Sequence, residues 1–285
     1  MSKDEPRADT SSPAEKSDAP FSLHVLTYNI HKGFNTGNTR FVLPHIRNAL
    51  AAHDADVLLL QEVSGEHRQR SQSVQGWPAE PQCDFLAGDR WPHVVYGKNA
   101  TYRAGHHGNA ILSRYPLREC ENINLSRNRF ASRSLLHAVL DPPAGPPIHI
   151  ICLHLGLREN VRQRQLSVLA DRVHTLIPAD APVIIGGDFN DWRERAGFFM
   201  EVVLGFRDVY KQVKGRHART YPAAMPVLPV DRIYFRSAEP QWCGCLRQTP
   251  WRGLSDHAPL SAVFRTTRVS PPPVHAHHPP LNLTV

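Results

Sequence analysis

The sequence has no run of apolar residues approaching the ~20 that a membrane-spanning helix needs. Its opening stretch, "MSKDEPRADTSSPAEKSDAP", contains no apolar signal core. A cytoplasmic protein is therefore expected. Cysteine is scarce. The five present, Cys83, Cys120, Cys152, Cys243 and Cys245, are odd in number and follow no framework spacing, which argues against a disulfide scaffold and for reduced thiols. Cys243 and Cys245 form a C-x-C pair, with no second cysteine or histidine cluster at zinc-like spacing to complete a site. A long basic block is also missing, although 33 Lys plus Arg outweigh 26 Asp plus Glu for a net charge of +7. That balance favours contact with anions in general and names none.

At 285 residues the chain can build a substantial core, as one large domain or two small ones. Residues 1–20 are rich in Ser, Asp, Pro and Lys, and residues 269–285 are rich in Pro and His. Both are expected to be disordered tails, which leaves a domain at 21–268. His275, His277 and His278 in the second tail could bind a transition metal, but histidines without supporting structure make a weak site.

Within the domain a pattern occurs twice. "LHVLTYNI" reads as a strand, "RFVLPHIRNALAAH" has helical spacing, and "ADVLLLQEV" is a continuous apolar strand ending on Gln61 and Glu62. Then "PIHIICLHLGL" reads as a strand, "RENVRQRQLSVLADRVHTL" as an amphipathic helix, and "APVIIGGDFN" as a second continuous apolar strand. Asn29 and Glu62 lie 33 residues apart and His154 and Asp188 34, each the size of a strand, helix, strand unit. Shorter stretches, "HVVYG", "GNAILSRYPL", "SLLHAVL", "VDRIYF" and "APLSAVF", add strands to mixed sheets. The expectation is an α/β protein of two stacked mixed sheets flanked by helices, with strand ends meeting along one rim.

Polar side chains collect at that rim. Asn29 in "TYNIHKG", Glu62 in "LLLQEV", His154 in "CLHLG", Asp188 and Asn190 in "GGDFND", Asp231 in "VDRIYF", and Asp256 with His257 in "SDHAPL" all sit at or beside strand ends. Singly, each could be a turn residue or a satisfied core group. Together they need a reason, because a charge at the end of an apolar strand is costly unless paired or metal-bound. A hard cation such as Mg²⁺ prefers a few carboxylate and amide oxygens and leaves room for water and phosphate.

The motifs "YNI", "LLLQEV", "GNAILSRYPL", "LHLG", "GDFN", "DRIYF" and "SDHAPL" appear in the order found in the endonuclease/exonuclease/phosphatase superfamily, which the chain resembles from about Phe21 to Arg268. The resemblance implies a four-layer α/β/β/α sandwich. It further implies Glu62 as the principal Mg²⁺ ligand, with Mn²⁺ as a substitute, and Asn29 and Asp256 beside it. Asp188 and Asn190 would activate or orient the attacking water, and His257, oriented by Asp231, would bond a phosphoryl oxygen. His154 is similar to the deoxyribonuclease, sphingomyelinase and 5-phosphatase branches rather than to abasic endonucleases, which carry asparagine there. Arg133, ahead of "SLLHAVL", is expected to reach phosphate in bidentate fashion. Asn109 is expected to contact substrate, with a turn residue as the alternative.

The expected activity is metal-dependent phosphodiester hydrolysis, with nucleic acid as the first substrate choice given the positive charge. A phospholipid or sphingolipid phosphodiesterase is the rival, distinguished by an exposed apolar rim around the cleft. A phosphomonoesterase and a non-catalytic anion-binding scaffold complete the alternatives. Trp192, directly after "GDFND", could stack on a base, lie against a lipid head group or pack on the core. The stretch "ARTYPAAMPVLPVDRIYF" is short and leaves little room for a large recognition insert.

Overall fold

The structure, a computed structural model, describes residues 19–126 and 133–266. The expected tails therefore lie outside the described residues, apart from positions 19 and 20.

Two six-stranded sheets form the centre. Edge to edge, the first runs β11 (Glu239–Cys245), β12 (Leu260–Thr266), β1 (Phe21–Asn29), β2 (Val57–His67), β4 (Gly105–Ser113) and β3 (His93–Tyr102). The second runs β5 (Leu117–Asn124), β6 (Ser134–Leu140), β7 (Ile148–His154), β8 (Val183–Asp188), β10 (Asp231–Arg236) and β9 (Arg207–Asp208). The helices are α1 (Leu43–His53), α2 (Arg68–Ser73), α3 (Gln82–Ala87), α4 (Glu159–Leu176), α5 (Arg195–Phe198) and α6 (Val209–Lys214).

The apolar runs "VLLL" and "VII" do not alternate because both faces of their strands are covered. In β2, Leu59 points between the sheets with Val25, Ile111, Ile150, Ile184 and Phe264. Leu58 and Leu60 point the other way, against Ile46 and Leu50 of α1 and Leu86 of α3. In β8, Ile185 packs outward on Leu166, Leu169 and Val173, the buried stripe of α4. The layers are helix, sheet, sheet, helix, as expected. None of the helices among the described residues is long and apolar enough to cross a membrane.

The repeated unit seen in the sequence has a structural counterpart. β1 pairs parallel with β2 and β7 with β8, while the other neighbours are antiparallel, so both sheets repeat one order of pairing. Register sets Asn29 opposite Gln61 and His154 opposite Asp188, which brings four strand ends to one rim.

Away from that rim, Ser261 Oγ donates to the Val25 carbonyl and receives the Nε2 protons of both His24 and His53. The two rings lie 4.8 Å apart. Burial, reinforced by His24, pushes His53 down to about 4 from its ordinary 6.5. A lowered histidine favours the neutral fold, so its contribution is complete above pH 6.5 and declines as pH falls toward 4. His53→Gln should therefore flatten the loss of Tm between pH 6.5 and 4, read by thermal denaturation at stepped pH.

Candidate active site

The "GG" of "GGDFND" is a matter of close approach. A Cβ on Gly186 would stand 2.5 Å from Leu59 Cδ1 of the facing sheet, and one on Gly187 would stand 1.9 Å from the Leu153 carbonyl. Glycine at 186 lets the sheets converge at the rim, and glycine at 187 lets β8 lie close against the backbone of β7. Asp188 then reaches Asn29 of the opposite sheet, whose Nδ2 donates to Asp188 Oδ2 at 3.3 Å.

Asp188 is the hub of the site. It is almost wholly buried, and Oδ1 accepts from the Asn190 backbone N–H at 2.9 Å. Arg133 Nη1 lies 3.4 Å from His154 Nδ1. A guanidinium can only donate, so His154 carries its proton on Nε2, which faces Asp188 Oδ2 at 3.3 Å. Burial, with Arg133 beside it, holds His154 well below its ordinary range, so the ring is neutral. Across the cleft His257 Nδ1 donates to Asp231 Oδ2 at 2.8 Å, and its Nε2 faces Asp188 Oδ2 at 3.8 Å. Burial opposes charge on His257, but the adjoining Asp231 outweighs it and lifts the imidazolium to about 10. One histidine is thus a neutral donor and the other a charged one.

Glu62 is aimed by a bulge. β2 and β4 pair Leu60 with Ala110 and then Val63 with Gly108, so Gln61 and Glu62 oppose Asn109 alone. Glu62 adopts φ +56, and His31, Lys32 and Asn190 are also left-handed, so strained backbone is concentrated at this site. The Glu62 carboxylate pairs with the Lys32 ammonium. Burial opposes its charge, but Lys32 and the nearby histidines hold the carboxyl well below the usual range. Gln82 ties the two segments together, donating to the Lys32 carbonyl and accepting from the N–H of Ser64, two residues past Glu62, each at 2.9 Å.

Asp256 is held by Ser255 Oγ at 3.3 Å and lies 3.6 Å from His31 Nδ1. Asn29 Oδ1 accepts from the His31 N–H and keeps a free lone pair. Glu62, Asp256 and Asn29 all line one cleft of about 270 Å³, together with Arg133, His154, Asp188, Asn190 and His257. An all-oxygen set of two carboxylates and an amide suits a hard divalent cation. Asp188, Asp231 and His257 also offer ligand atoms within 4.8 Å of one another, although Asp231 is already engaged by His257.

Asn109 lies outside the lining of the cleft. It is fully buried and donates from Nδ2 to the Ser134 carbonyl at 3.0 Å, behind Arg133. Asp231 also sits behind the surface, in contact with His257.

Sequence reasoning missed Lys32, although it stands three residues after Asn29 in the quoted "TYNIHKG". It also missed His107, two before Asn109, which burial and the Lys32 charge push down to about 4. The opposite wall, Leu157, Trp192, Tyr221, Leu228 and Val230, is apolar. Of these, only Trp192 carried a sequence signal, since a leucine in a turn looks like any other. Tyr221 lies beside His257, with ring centroids 5.0 Å apart and planes inclined at 51°.

Residues 26–257 match the model of the Endonuclease/Exonuclease/phosphatase family. YbhP of Escherichia coli (strain K12) is 46% identical over 243 residues, which cover 85% of this chain and 96% of YbhP. The crystal structure of an endonuclease/exonuclease/phosphatase from Beutenbergia cavernae superposes with a TM-score of 0.68 at 19% identity, over 86% of this chain and 72% of that one. D. rerio TDP2, crystallised with a single-strand DNA product, superposes with a TM-score of 0.64 at 22% identity, over 86% of this chain and 99% of that one. The chain belongs to the endonuclease/exonuclease/phosphatase family.

Proposed function

We propose that this protein is a divalent-metal-dependent phosphodiester hydrolase that cleaves by in-line attack of water. The observation that carries the reading is the convergence of three donors, from Asn29, His154 and His257, on the one buried carboxylate of Asp188, in the cleft that holds Glu62 and Asp256. Glu62, Asp256 and Asn29 would hold the cation, Mg²⁺ or Mn²⁺ in its place. When bound, it neutralises charge on a phosphoryl oxygen.

The chain's own groups supply the rest. Burial raises the Asp188 carboxyl to about 7 against the pull of His257, a value suited to taking a proton from water near neutral pH. Asn190 donates from Nδ2 to the Leu155 carbonyl at 3.0 Å, which leaves its Oδ1 to orient that water. His257 offers its Nε2 proton to a phosphoryl oxygen, and Asp231 fixes the ring. Arg133 lines the same cleft as a second donor to phosphate. Phosphoryl transfer needs this kind of charge stabilisation and positioning more than covalent help.

Nucleic acid is one substrate reading, supported by the +7 net charge and by the DNA product held by the TDP2 neighbour. A lipid phosphodiester is the second, favoured by the apolar wall, where Leu157 is 60% and Trp192 39% exposed. The five thiols are unbridged, in keeping with a cytoplasmic enzyme.

The test is Mg²⁺-dependent hydrolysis of bis(p-nitrophenyl) phosphate and nicking of supercoiled plasmid, with EDTA and His257→Ala as controls. Activity on the small diester that both controls remove supports the hydrolase. Nicking assigns nucleic acid, and diester hydrolysis that spares plasmid, single-stranded DNA and RNA alike favours the lipid reading. No hydrolysis by folded, Mg²⁺-binding protein refutes the proposal.

A further inference from the structure

Ten consecutive residues, "YPAAMPVLPV" from Tyr221 to Val230, carry no charge and no polar group except the tyrosine hydroxyl. Surface loops are ordinarily polar. This one is a tight hairpin closed by a bridge between Tyr221 and Leu228, with Leu228 N–H donating to the Tyr221 carbonyl at 2.8 Å. Its base faces the cleft through Tyr221, Leu228 and Val230. Its tip faces solvent, with Met225 71% and Val227 46% exposed. The hairpin is bolted to the catalytic loop: Ala223 N–H donates to the Asp256 carbonyl at 2.7 Å and Ala258 N–H to the Thr220 carbonyl at 2.9 Å. Pro222, Pro226 and Pro229 stiffen it further, so the tip is held out rather than free to fold back.

The cleft mouth has two more apolar projections, Leu157 and Trp192, and an arginine adjoins each of these in sequence and another stands at the foot of the hairpin. Arg158 follows Leu157, Arg193 follows Trp192 and Arg219 precedes the hairpin. All three arginines are exposed, and none of them is in an ion pair among the described residues. Buried Arg162 locks part of this wall in place, donating to the Leu157 carbonyl at 2.6 Å and lying 5.3 Å over the Trp192 ring.

We propose that this rim, the Met225–Val227 tip with Leu157 and Trp192, is an interfacial docking surface for a membrane rich in anionic lipid. Apolar tips enter the acyl boundary while neighbouring arginines meet anionic head groups, each adding about fivefold to partitioning. A partner protein would match the apolar area but would not require exposed, unpaired arginines next to Leu157 and Trp192 and at the foot of the hairpin. Docked in this way, the cleft opens at head-group depth, where a lipid phosphodiester lies. What the docked enzyme hydrolyses rests on the phosphodiesterase reading, whereas docking itself does not.

The experiment is sedimentation of the full chain, in EDTA to prevent turnover, with vesicles of phosphatidylcholine alone or with phosphatidylglycerol. Wild type should bind the anionic vesicles, and added salt should weaken binding. Met225→Asp combined with Val227→Asp should lower partitioning at least tenfold, with bis(p-nitrophenyl) phosphate hydrolysis and Tm unchanged. Arg158→Gln, Arg193→Gln and Arg219→Gln together should remove the preference for anionic lipid. Should the aspartate variant fail to fold, Met225→Trp serves instead, its fluorescence expected to be quenched by lipids brominated on the acyl chain. Wild type that ignores anionic vesicles, or a tip variant that loses single-stranded oligonucleotide binding while wild type shows no vesicle binding, overturns the proposal. If vesicles bind but no phosphodiester is hydrolysed, the docking surface stands and the hydrolase reading falls.

Discussion

Asp231→Asn should lower kcat about 10³-fold while changing KM little, within the range for loss of a properly held catalytic imidazole. The 2.8 Å contact to His257 Nδ1 both sets the ring and keeps it charged. Asparagine preserves the shape but supplies no charge and can present an amide N–H where the imidazole needs an acceptor. The pH profile should change with it. In the wild type, activity should rise as Asp188 loses its proton near 7 and fall as His257 loses its proton near 10. A histidine raised in this way is protonated below its folded value, so removing Asp231 should bring the alkaline limb down toward neutral pH while the acid limb remains. A profile whose alkaline limb does not move would show that His257 is not the group it reports. His257→Ala should lose as much kcat as the double variant with Asp231→Asn, because the carboxylate acts only through the ring.

Glu62→Gln is expected to be as damaging for a different reason. The carboxylate is more enclosed than that of Asp256, and the bulge at Gln61 and Glu62 directs it into the cleft. Loss of its charge should weaken Mg²⁺ binding at least 10²-fold by titration calorimetry, and activity at fixed Mg²⁺ should fall about 10³-fold. Excess metal should recover part of that activity, whereas it should recover none in His257→Ala. The fold should tolerate the change, since glutamine still offers an acceptor to Lys32. The pH dependence of stability will tell the two apart. A carboxyl held below its ordinary 4.5 stabilises the fold above that pH and loses its contribution only as pH falls toward its folded value. The Tm difference between wild type and Glu62→Gln should accordingly be present at neutral pH and vanish in strong acid. If calorimetry finds unaltered Mg²⁺ affinity, the cation site is not built on Glu62.

The sequence by itself determined the fold class and most of the residues at the rim. The runs "VLLL" and "VII" could satisfy only strands covered on both faces, and each ended on polar groups too costly to leave in an apolar strand without a purpose. Those are local facts, and the spacing of the two repeated units is nearly as local. What joins across the sheets is not. Lys32 meets Glu62 because a bulge turns one segment and a left-handed turn bends the other, and Gln82, distant in sequence from both, ties the Lys32 carbonyl to Ser64 just past Glu62. Asn109 stood in a promising motif, yet pairing opposite that bulge buried it behind Arg133. The apolar wall shows the division most clearly. Leu157, Trp192 and Tyr221 come from three separate loops, and only Trp192 stands out in a linear reading. Only the order of the second sheet, which sets β7, β8 and β10 side by side, places them along one wall, and the facing sheet, brought close at Gly186, closes the cleft opposite them. Periodicity and the cost of burying charge act within a strand, so the sequence shows them, whereas convergence of strand ends depends on register and layer contact, which only the folded chain supplies.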